Sequence, residues 1–407
     1  MTNPIAPFST PLYVMAKPAG ASCNLACKYC YYLEKDGLYA GARSEHIMSD
    51  ETLRLFIKSY IEAQTSPDIL FCWHGGEALL RPLSFYKRVV ELQRYYGKGY
   101  RIDNSIQTNG TLLTDEWCRF FRENNWLVGI SIDGPAALHD TYRRGRDGSP
   151  TFDRVMAGIG QLERYGVDWN ALAAVNGDVA RHPEEFYTFF RSIGCRFIQF
   201  TPVVERIVAD GGRQRLASLR DEEAMLAPYS VTPQDWGRFL CDIFDIWVRR
   251  DVGKVFVQLF DATLANWMGV PPGVCSMGAD CGHAAVIEHN GDVYCCDHFV
   301  FPDYRLGNIK RRSILEMMTS RRQTEFGRAK AEGLPRQCRR CRFLFACHGE
   351  CPRNRFGMTA DGEPGLNWLC EGYRRFFEHA APYMDFMKAE LLAGRAPANV
   401  MNFAKND

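Results

Sequence analysis

The sequence predicts an α/β fold, organised as an open, partial (β/α)6 barrel followed by a smaller cysteine-rich domain. The first 205 residues alternate short β-branched or aromatic runs with helix-like segments, which is typical of βα units around a parallel sheet. Only six such runs occur, and six units cannot close the usual eight-stranded barrel. Eleven of the 16 cysteines fall into tight groups, and most of these lie beyond residue 271.

The runs predict six strands, bounded by turn or capping residues. They are Leu12–Lys17, Ile69–His74, Ile102–Thr108, Leu127–Asp133, Trp169–Asn176 and Phe197–Val203. Helices between them have recognisable starts with an acidic first turn, at Ser49, Thr114 and Pro183. Because reactive groups in such folds lie on loops after the strand C-termini, we expect the chemistry there.

The alternation of predicted strands and helices ends after about residue 205. A polar stretch, Glu205–Asp221, interrupts the pattern, and a helix is predicted from Thr232 to Arg250. The turn Asn290-Gly291 and its flanks predict a small hairpin. The predicted division is a partial barrel over 1–235, a helical bridge over 236–270, a cysteine-rich domain over 271–380 and a helical tail over 381–407.

Composition excludes several classes of protein. The 407 residues contain 49 Lys+Arg and 48 Asp+Glu, so no broad nucleic-acid-binding field is expected. No run of about 18 apolar residues occurs, and Met1–Thr10 has neither a basic start nor an apolar stretch. We therefore expect no membrane association and a cytoplasmic location. We therefore expect the cysteines of such a chain to bind metal or take part in redox chemistry rather than to form disulfides.

The first cysteine group is Cys23-x3-Cys27-x2-Cys30, directly after the first strand. Three thiolates are one too few for a closed tetrahedral site, whereas a [4Fe–4S] cluster held by three cysteines keeps one iron open to an outside ligand. The alternative is a zinc site completed by a histidine. No histidine lies nearby in sequence, and an aromatic residue separates the last two cysteines, which favours the cluster.

The segment from Cys23 to Tyr32, CNLACKYCYY, resembles the signature of radical S-adenosylmethionine (SAM) enzymes. The resemblance implies that SAM binds the open iron through its amino and carboxylate groups. It also implies reductive cleavage of SAM to methionine and a 5′-deoxyadenosyl radical, a reaction whose difficult chemistry belongs to the cofactors.

The same resemblance implies contacts to SAM from several strand-end loops. In His74-Gly75-Gly76-Glu77, the glycines let backbone carbonyls approach the SAM amino group and Glu77 adds charge. Ser131 would contact the ribose, and Arg143, preferred over Arg144, would meet the carboxylate. The remaining implied contacts are to adenine, from the backbone of Tyr29 and from Val204. The alternatives are an ordinary turn at the glycines and solvated loop arginines.

A second cysteine system is similar to the seven-cysteine motif of the SPASM domain, found on radical SAM enzymes that modify peptides. Its spacing is Cys281-x9-Gly291-x4-Cys296, then Cys338-x2-Cys341-x5-Cys347-x3-Cys351-x18-Cys370. Cys275 adds an eighth thiol, enough for two fully ligated [4Fe–4S] clusters and therefore three clusters in all. The alternative is a pair of structural zinc sites.

The resemblance divides these eight ligands between two clusters. It implies Cys275, Cys281, Cys296 and Cys351 for the nearer auxiliary cluster, and Cys338, Cys341, Cys347 and Cys370 for the farther one. Cys295 competes with Cys296, because neighbours on a strand face opposite sides, and the spacing from Gly291 favours Cys296. We expect the remaining cysteines to be small core residues: Cys72, Cys118, Cys195 and Cys241.

Over nearly its full length the chain resembles the anaerobic sulfatase-maturating enzymes, which oxidise a Cys or Ser side chain in a sulfatase precursor to Cα-formylglycine. Besides the two cysteine motifs, the segments that carry the resemblance are Tyr13–Pro18, Gln107–Gly110, Ser131–Pro135, Phe200–Glu205 and Cys296–His298. The resemblance implies that Asp297 takes the substrate proton while the electron leaves through a fully ligated cluster. The alternatives are a carboxylate that is merely hydrogen-bonded near the cluster, and His298 as the base.

The implied partners are an unfolded or nascent sulfatase polypeptide with a Cys/Ser-x-Pro-x-Arg motif and a low-potential electron donor. One segment departs from the family pattern. The family commonly has Gln-Gly-Gly-Glu-Pro here, whereas this sequence has His74 in the first position and Ala78 in the last. An imidazole therefore replaces a glutamine that would touch substrate and SAM. The sequence leaves open whether the target is Cys or Ser.

Three rival functions are weighed. A SPASM enzyme that makes thioether or carbon–carbon crosslinks often has a long peptide-recognition extension, whereas only about 11 residues precede the first strand here. A non-catalytic electron-transfer protein leaves the SAM-binding loops unexplained. A zinc-binding scaffold would contain zinc and no sulfide.

Overall fold

The computed structural model of the chain describes residues 12–39, 41, 45–210, 213–217, 221 and 223–405. Met1–Thr10 and the outer ends of the predicted first and last domains lie outside these residues. All six predicted strands are confirmed, with ends that shift by two residues at most. The elements are β1 (Tyr13–Ala16), α1 (Asp50–Glu62), β2 (Asp68–Trp73), α2 (Leu83–Tyr96), β3 (Arg101–Thr108), α3 (Asp115–Glu123), β4 (Leu127–Ser131), α4 (Ala136–Tyr142), α5 (Phe152–Tyr165), β5 (Trp169–Val175), α6 (Gly177–Ala180), α7 (Pro183–Ser192) and β6 (Phe197–Pro202).

The predicted helix starts are confirmed as well. Ser49 and Thr114 each accept a hydrogen bond from a backbone N–H of the following first turn. After β6 the chain continues with β7 (Arg206–Asp210), β8 (Arg213–Leu216), β9 (Met225–Leu226), α8 (Pro233–Arg250), β10 (Phe256–Val257), α9 (Gln258–Met268), β11 (Ala284–Ile287), β12 (Asp292–Tyr294), β13 (Arg305–Asn308), α10 (Ile314–Met318), α11 (Arg321–Glu332), α12 (Arg336–Arg339), α13 (Leu344–Cys347), β14 (Gly357–Met358), β15 (Pro364–Leu366), α14 (Cys370–Leu392) and α15 (Val400–Phe403). Among the described helices, none combines the length and the apolar character that a membrane crossing requires.

The chain divides into two compact units. The first comprises residues up to Ser131, Arg143–Trp169 and Cys281–Ala329. Its strands are ordered β4-β3-β2-β1-β11-β12-β13. The first five strands of this order, β4, β3, β2, β1 and β11, run parallel to one another. The carboxyl ends of parallel strands meet at one edge, so the loops after β1, β2 and β3 face the same side.

The predicted hairpin is confirmed as β11 and β12, which pair antiparallel. β11 also lies beside β1 in parallel, with Tyr13 opposite Ala284 and Ala16 opposite Ile287. Pairing of the hairpin with the first strand was not predicted. It brings the segment after β12, which contains Cys296 and Asp297, into the same unit as the loop with Cys23, Cys27 and Cys30.

Aromatic side chains form much of the core of the first unit. Trp73, on β2, is fully buried and stacks on Trp126 with ring centroids 6.5 Å apart. Its indole N–H donates to Asn104, which also bonds Gln93, so the polar groups of these three side chains are paired with one another. This rigid layer fixes the end of β2, where His74 and the glycine loop begin.

The second unit comprises Ile132–Tyr142, Asn170–Asp280 and the residues from Lys330 onward. β5, β6 and β10 pair in parallel, and the polar stretch after β6 contains the strands β7 and β8, which were not predicted. α8 and α14 pack closely at Gly237 and Gly372. These units follow different bounds from the four sequence segments, whose division stays a prediction.

Candidate active site

The three thiols of Cys23, Cys27 and Cys30 lie in the loop after β1 and form no disulfide. The Cys23 sulfur accepts a hydrogen bond from the backbone N–H of Leu25 at 3.3 Å and lies 3.8 Å from the Asn109 side-chain nitrogen. Burial, with the Glu77 carboxylate, raises the pKa of the Cys23 thiol to about 12. A thiol of this kind becomes a thiolate when a cation binds it, so the donor set fits an iron–sulfur cluster.

The glycine loop after β2 runs against the cysteine loop. The Gly76 N–H donates to Gly20 O at 2.8 Å, and the Glu77 N–H donates to Ser22 O at 2.7 Å. A Cβ atom at Gly76 would lie 2.1 Å from the Ser22 carbonyl oxygen, so only glycine permits this approach. Glycine here keeps backbone groups accessible at the strand end.

Glu77 is buried, with only 1% of its surface exposed. Its carboxylate accepts hydrogen bonds from the backbone N–H groups of Leu79 and Asn109 and from the Thr108 hydroxyl, at 2.6–2.9 Å. Burial raises the pKa of this carboxyl, and the bonds from Asn109, Thr108 and Leu79 oppose that shift. Glu77 therefore ties the loops after β2 and β3 together. A direct contact of Glu77 with SAM stays a prediction.

The other residues that were predicted to contact SAM divide between the units. In the first unit, the Gln107 side chain donates to the Ser131 hydroxyl at 2.9 Å, and the Arg143 guanidinium lies over the Tyr29 ring, 5.6 Å from its centroid. Arg143 is buried and opposes the rise that burial causes in the pKa of Cys30. Val204 is buried in the second unit, after β6.

A charged group centres on Asp297, in a short 3-10 turn directly after Cys296. Lys17 Nζ lies 2.7 Å from Asp297 Oδ1, and the Tyr31 hydroxyl donates to Oδ2. Burial alone would raise the pKa of Asp297, but Lys17, His74 and His298 together hold it well below its usual value. The carboxylate is therefore ionised.

His74 lies beside this ion pair. Its Nδ1 accepts the Gly75 N–H at 2.7 Å and is 3.5 Å from Lys17 Nζ. Burial and then the charge of Lys17 lower the pKa of His74 to about 4, so the ring is neutral at pH 7. Because donors face Nδ1, the ring proton is assigned to Nε2, which makes that nitrogen a hydrogen-bond donor.

Lys17 and Tyr31 are functional candidates that sequence reasoning did not single out. Lys17 ends a buried apolar run, and its side chain is only 1% exposed. A charged residue at the end of such a run requires a partner of opposite charge or a hydrogen-bond acceptor. This requirement could have identified Lys17 as a functional candidate from the sequence. The identity of that partner, 280 positions away, is set by the pairing of β1 with β11.

The cysteines of the proposed farther cluster all lie in the second unit and form no disulfide. Burial raises the pKa of Cys347 to about 12 and that of Cys370 to about 11. Cys370 and Cys338 contribute to the raised pKa of Cys347, and Cys338 and Cys341 contribute to that of Cys370, so these thiols lie within electrostatic reach of one another. In number and chemistry, four thiols match the ligands that a fully ligated [4Fe–4S] cluster takes.

The other thiols are placed as follows. Cys281 and Cys296 lie in the first unit, and Cys275 and Cys351 lie in the second. Cys295 is fully buried whereas Cys296 is partly exposed, which agrees with the preference for Cys296. The expectation that the four unassigned cysteines are core residues is confirmed, since all are buried: Cys72, Cys118, Cys195 and Cys241.

Comparison with known proteins identifies both halves of the cysteine pattern. The family model of the radical SAM superfamily matches residues 18–190, and that of the SPASM iron–sulfur cluster-binding domain matches residues 280–342. The chain is therefore a radical SAM enzyme with a SPASM domain, and the predicted fold class is confirmed. Radical SAM enzymes bind SAM and a [4Fe–4S] cluster, and SPASM domains bind iron–sulfur clusters.

Relatives define the family further. The chain is 61% identical to the serine-type anaerobic sulfatase-maturating enzyme of Bacteroides thetaiotaomicron, over 98% of this chain and 97% of the relative. It is 32% identical to the cysteine-type enzyme of Clostridium perfringens, over 91% and 97% of the two chains. The structure of native anSMEcpe with bound AdoMet and Cp18Cys peptide superposes with a TM-score of 0.82 at 31% identity, covering 94% of this chain and all of that one. The chain belongs to the anaerobic sulfatase-maturating enzymes.

Proposed function

We propose that this enzyme oxidises the Cβ of a serine in a sulfatase precursor to Cα-formylglycine. The observation that carries the choice of serine is the 61% identity with a serine-type relative over nearly the whole chain, against 32% with a cysteine-type relative. The site supports the reaction, because an ionised, partly buried carboxylate stands directly after a predicted cluster ligand.

Converting the serine side chain to an aldehyde removes one hydrogen atom from Cβ, one proton from the hydroxyl and one electron. When bound, SAM and its cluster supply the one-electron chemistry that removes the hydrogen atom. Asp297 accepts the proton, and Lys17 and Tyr31 keep its carboxylate ionised and oriented. Asp297 is thus the proposed catalytic base.

His74 provides a hydrogen-bond donor beside that base. With Nδ1 engaged by Gly75 and Lys17, its Nε2–H is available to a substrate oxygen. The glutamine that is common in the family offers an amide N–H instead. We propose that His74 contacts the target side chain and replaces this amide as a donor.

The proposed cofactor set is SAM with three [4Fe–4S] clusters. Cys23, Cys27 and Cys30 would hold the SAM-binding cluster, and the eight later cysteines would hold two auxiliary clusters in the division given above. Gly76, Glu77, Ser131, Arg143, Tyr29 and Val204 are the proposed SAM-binding residues. The auxiliary clusters, with every iron ligated, suit the removal of the substrate electron.

The proposed substrate is an unfolded or nascent sulfatase polypeptide with a Ser-x-Pro-x-Arg motif. A low-potential donor would supply electrons for the cleavage of SAM. Clusters of this kind, and thiols that form no disulfide, suit a reducing compartment, which supports a cytoplasmic site of action.

The test is anaerobic incubation of cluster-reconstituted enzyme with SAM, a reductant and paired peptides that differ only in Ser or Cys at the target position. Mass spectrometry should show conversion of the Ser peptide to the aldehyde, with faster turnover than for the Cys peptide. Asp297→Asn should still cleave SAM but lose most aldehyde formation, because the general base typically contributes about 10²–10⁴-fold.

Two results would contradict the proposal. Preferential oxidation of the Cys peptide would reverse the choice of target. A mass change that corresponds to a thioether or carbon–carbon crosslink, with no aldehyde, would assign the chain to another SPASM peptide-modifying reaction.

A further inference from the structure

The turn between Cys347 and Cys351 has an unusual backbone. His348, Gly349 and Glu350 have φ angles of +48°, +70° and +51°, so three successive residues occupy the left-handed region. Among the described residues, only one other non-glycine residue, Asn125, has a positive φ. Such conformations persist only where the surroundings impose them. The contacts of this turn therefore indicate what holds it.

Arg355 supplies most of these contacts. Its Nε donates to Gly349 O at 2.8 Å, and its Nη2 donates to His348 O at 2.9 Å and to Glu350 O at 3.1 Å. Its Nη1 donates to Lys330 O. One guanidinium thus bonds the carbonyl oxygens of all three left-handed residues. A Cβ atom at position 349 would lie 2.3 Å from Leu334 Cδ2 and 2.7 Å from Arg355 Nη2, so a side chain there would crowd both groups, and the positive φ also favours glycine.

The charge of Arg355 also acts on the neighbouring thiols. Burial lowers the pKa of Arg355, whereas the thiols of Cys338, Cys347 and Cys351 raise it. The carbonyl oxygens that its guanidinium bonds belong to residues 348–350, directly between Cys347 and Cys351, so the charge lies beside the turn that joins two proposed ligands. A partly buried charge is screened less than an exposed one, so its effect on these sulfurs persists in salt.

Another charge lies in the same turn. Glu350 is buried and accepts hydrogen bonds from the side chains of Asn354 at 3.2 Å and Asn367 at 2.6 Å. Its negative charge raises the pKa of Cys347 further. Glu350 and Arg355 thus act on the thiols with opposite signs, and removal of Arg355 would leave Lys330 as a positive charge that acts on Glu350.

We propose that Arg355 is a positioning residue for the auxiliary iron–sulfur clusters, whose guanidinium holds the Cys347–Cys351 turn and whose fixed charge raises their reduction potential. A positive charge near a cluster stabilises the reduced form, which has one more negative charge. The inference rests on the proposed clusters. In the ligand division given above, Cys351 serves the nearer cluster, and Cys338 and Cys347 serve the farther one.

The test compares Arg355→Gln and Arg355→Lys with Arg340→Gln as a matched control. Arg340 lies between Cys338 and Cys341 in sequence, but it is exposed and does not feature among the charges that act on Cys338. All variants are built in the full chain with Cys23, Cys27 and Cys30 replaced by Ala, so that only auxiliary clusters contribute to redox titrations followed by electron paramagnetic resonance.

Arg355→Gln should shift the one-electron reduction equilibrium by about tenfold toward the oxidised form, which corresponds to about 59 mV. Arg355→Lys keeps the charge and loses most of the hydrogen bonds, so its potential should stay near the parent value while its melting temperature falls. Arg340→Gln should leave both unchanged.

The proposal is overturned if Arg355→Gln and Arg340→Gln have the same potential, or if Arg355→Lys shifts as far as Arg355→Gln. If Arg355→Gln does not load auxiliary iron, Arg355→Lys decides alone: a potential near the parent value supports the electrostatic role, and a potential about 59 mV lower than the parent overturns it. If neither loads, the clusters depend on guanidinium geometry alone and the electrostatic role is overturned. These titrations contain no peptide, so failure of the proposed serine oxidation would be seen separately, as absence of aldehyde with wild-type enzyme.

Discussion

At the scale of single residues, Lys17 organises the polar groups around the proposed base. Its ammonium contacts Asp297 and His74, and it lies 4.2 Å from the centroid of the Tyr32 ring. A buried carboxylate that loses its cation is left with an uncompensated charge. The properties of Asp297 should therefore depend on Lys17 more than on any neighbour in sequence.

We expect Lys17→Met to move the acidic limb of the pH–rate profile for peptide oxidation to higher pH. Burial would then act on Asp297 without its main opposing charge, so its pKa would rise and the base would be lost at a higher pH as acidity increases. Lys17→Arg, which keeps the charge, is the control. Rates measured anaerobically from pH 5 to 8, with SAM cleavage recorded in parallel, would refute the expectation if the two variants had superimposable profiles.

At this scale the sequence predicted the cluster cysteines from a spacing that forms a local signature, and its resemblance to a family predicted Asp297; both assignments stay predictions. It did not locate Tyr31 as the hydrogen-bond donor to Asp297, although Tyr31 follows Cys30 directly. Tyr31 and Asp297 are 266 positions apart, and no local pattern specifies which carboxylate a given hydroxyl will reach.

At the scale of elements, α14 links helix packing to cluster ligation. The helix begins at Cys370 and crosses α8 two residues later, at Gly372. A Cβ atom at Gly372 would lie 2.3 Å from Pro233 O and 2.9 Å from Gly237 N, and neither backbone group can rotate away. The position of Cys370 therefore depends on the absence of a side chain at 372.

Gly372→Ala should lower the free energy of unfolding by about 1–3 kcal/mol, because overpacking forces the helices apart. It should also remove up to about four irons per chain, through displacement of Cys370 from the proposed farther cluster. Gly160→Ala is the matched control. That glycine lies in α5 with no heavy atom within 4 Å of the added Cβ, and alanine there should stabilise by about 0.5–1 kcal/mol. Wild-type iron content and stability in Gly372→Ala would contradict this account.

Element prediction succeeded where a local pattern existed and stopped where pairing was long-range. The six barrel strands and the capped helices follow from runs of suitable residues, and the hairpin follows from Asn290-Gly291. β10, Phe256–Val257, is two residues long and gives no periodicity, yet it pairs with β6. The parallel pairing of β11 with β1 joins segments about 270 positions apart, which the sequence of neither segment encodes alone.

At the scale of the whole molecule, the cysteines of two proposed clusters lie wholly within different compact units. Cys23, Cys27 and Cys30 belong to the first unit, and the four ligands of the farther auxiliary cluster belong to the second. Each set is held by local contacts of its own unit, such as the Leu25 N–H at Cys23. The two clusters should therefore load independently.

Reconstituted enzyme should contain about twelve irons with equal sulfide, as three [4Fe–4S] clusters require. Replacing Cys23, Cys27 and Cys30 by Ala should remove about four irons and abolish SAM cleavage. Cys338→Ala with Cys341→Ala should remove about four different irons and leave SAM cleavage without peptide intact, because Cys23, Cys27, Cys30 and the glycine loop after β2 lie in the first unit. Iron and sulfide analysis, together with anaerobic SAM-cleavage assays, tests these expected iron contents and activities. Loss of all iron from either variant would show that the clusters assemble as one cooperative system, and zinc without sulfide in the wild type would refute the cluster assignment.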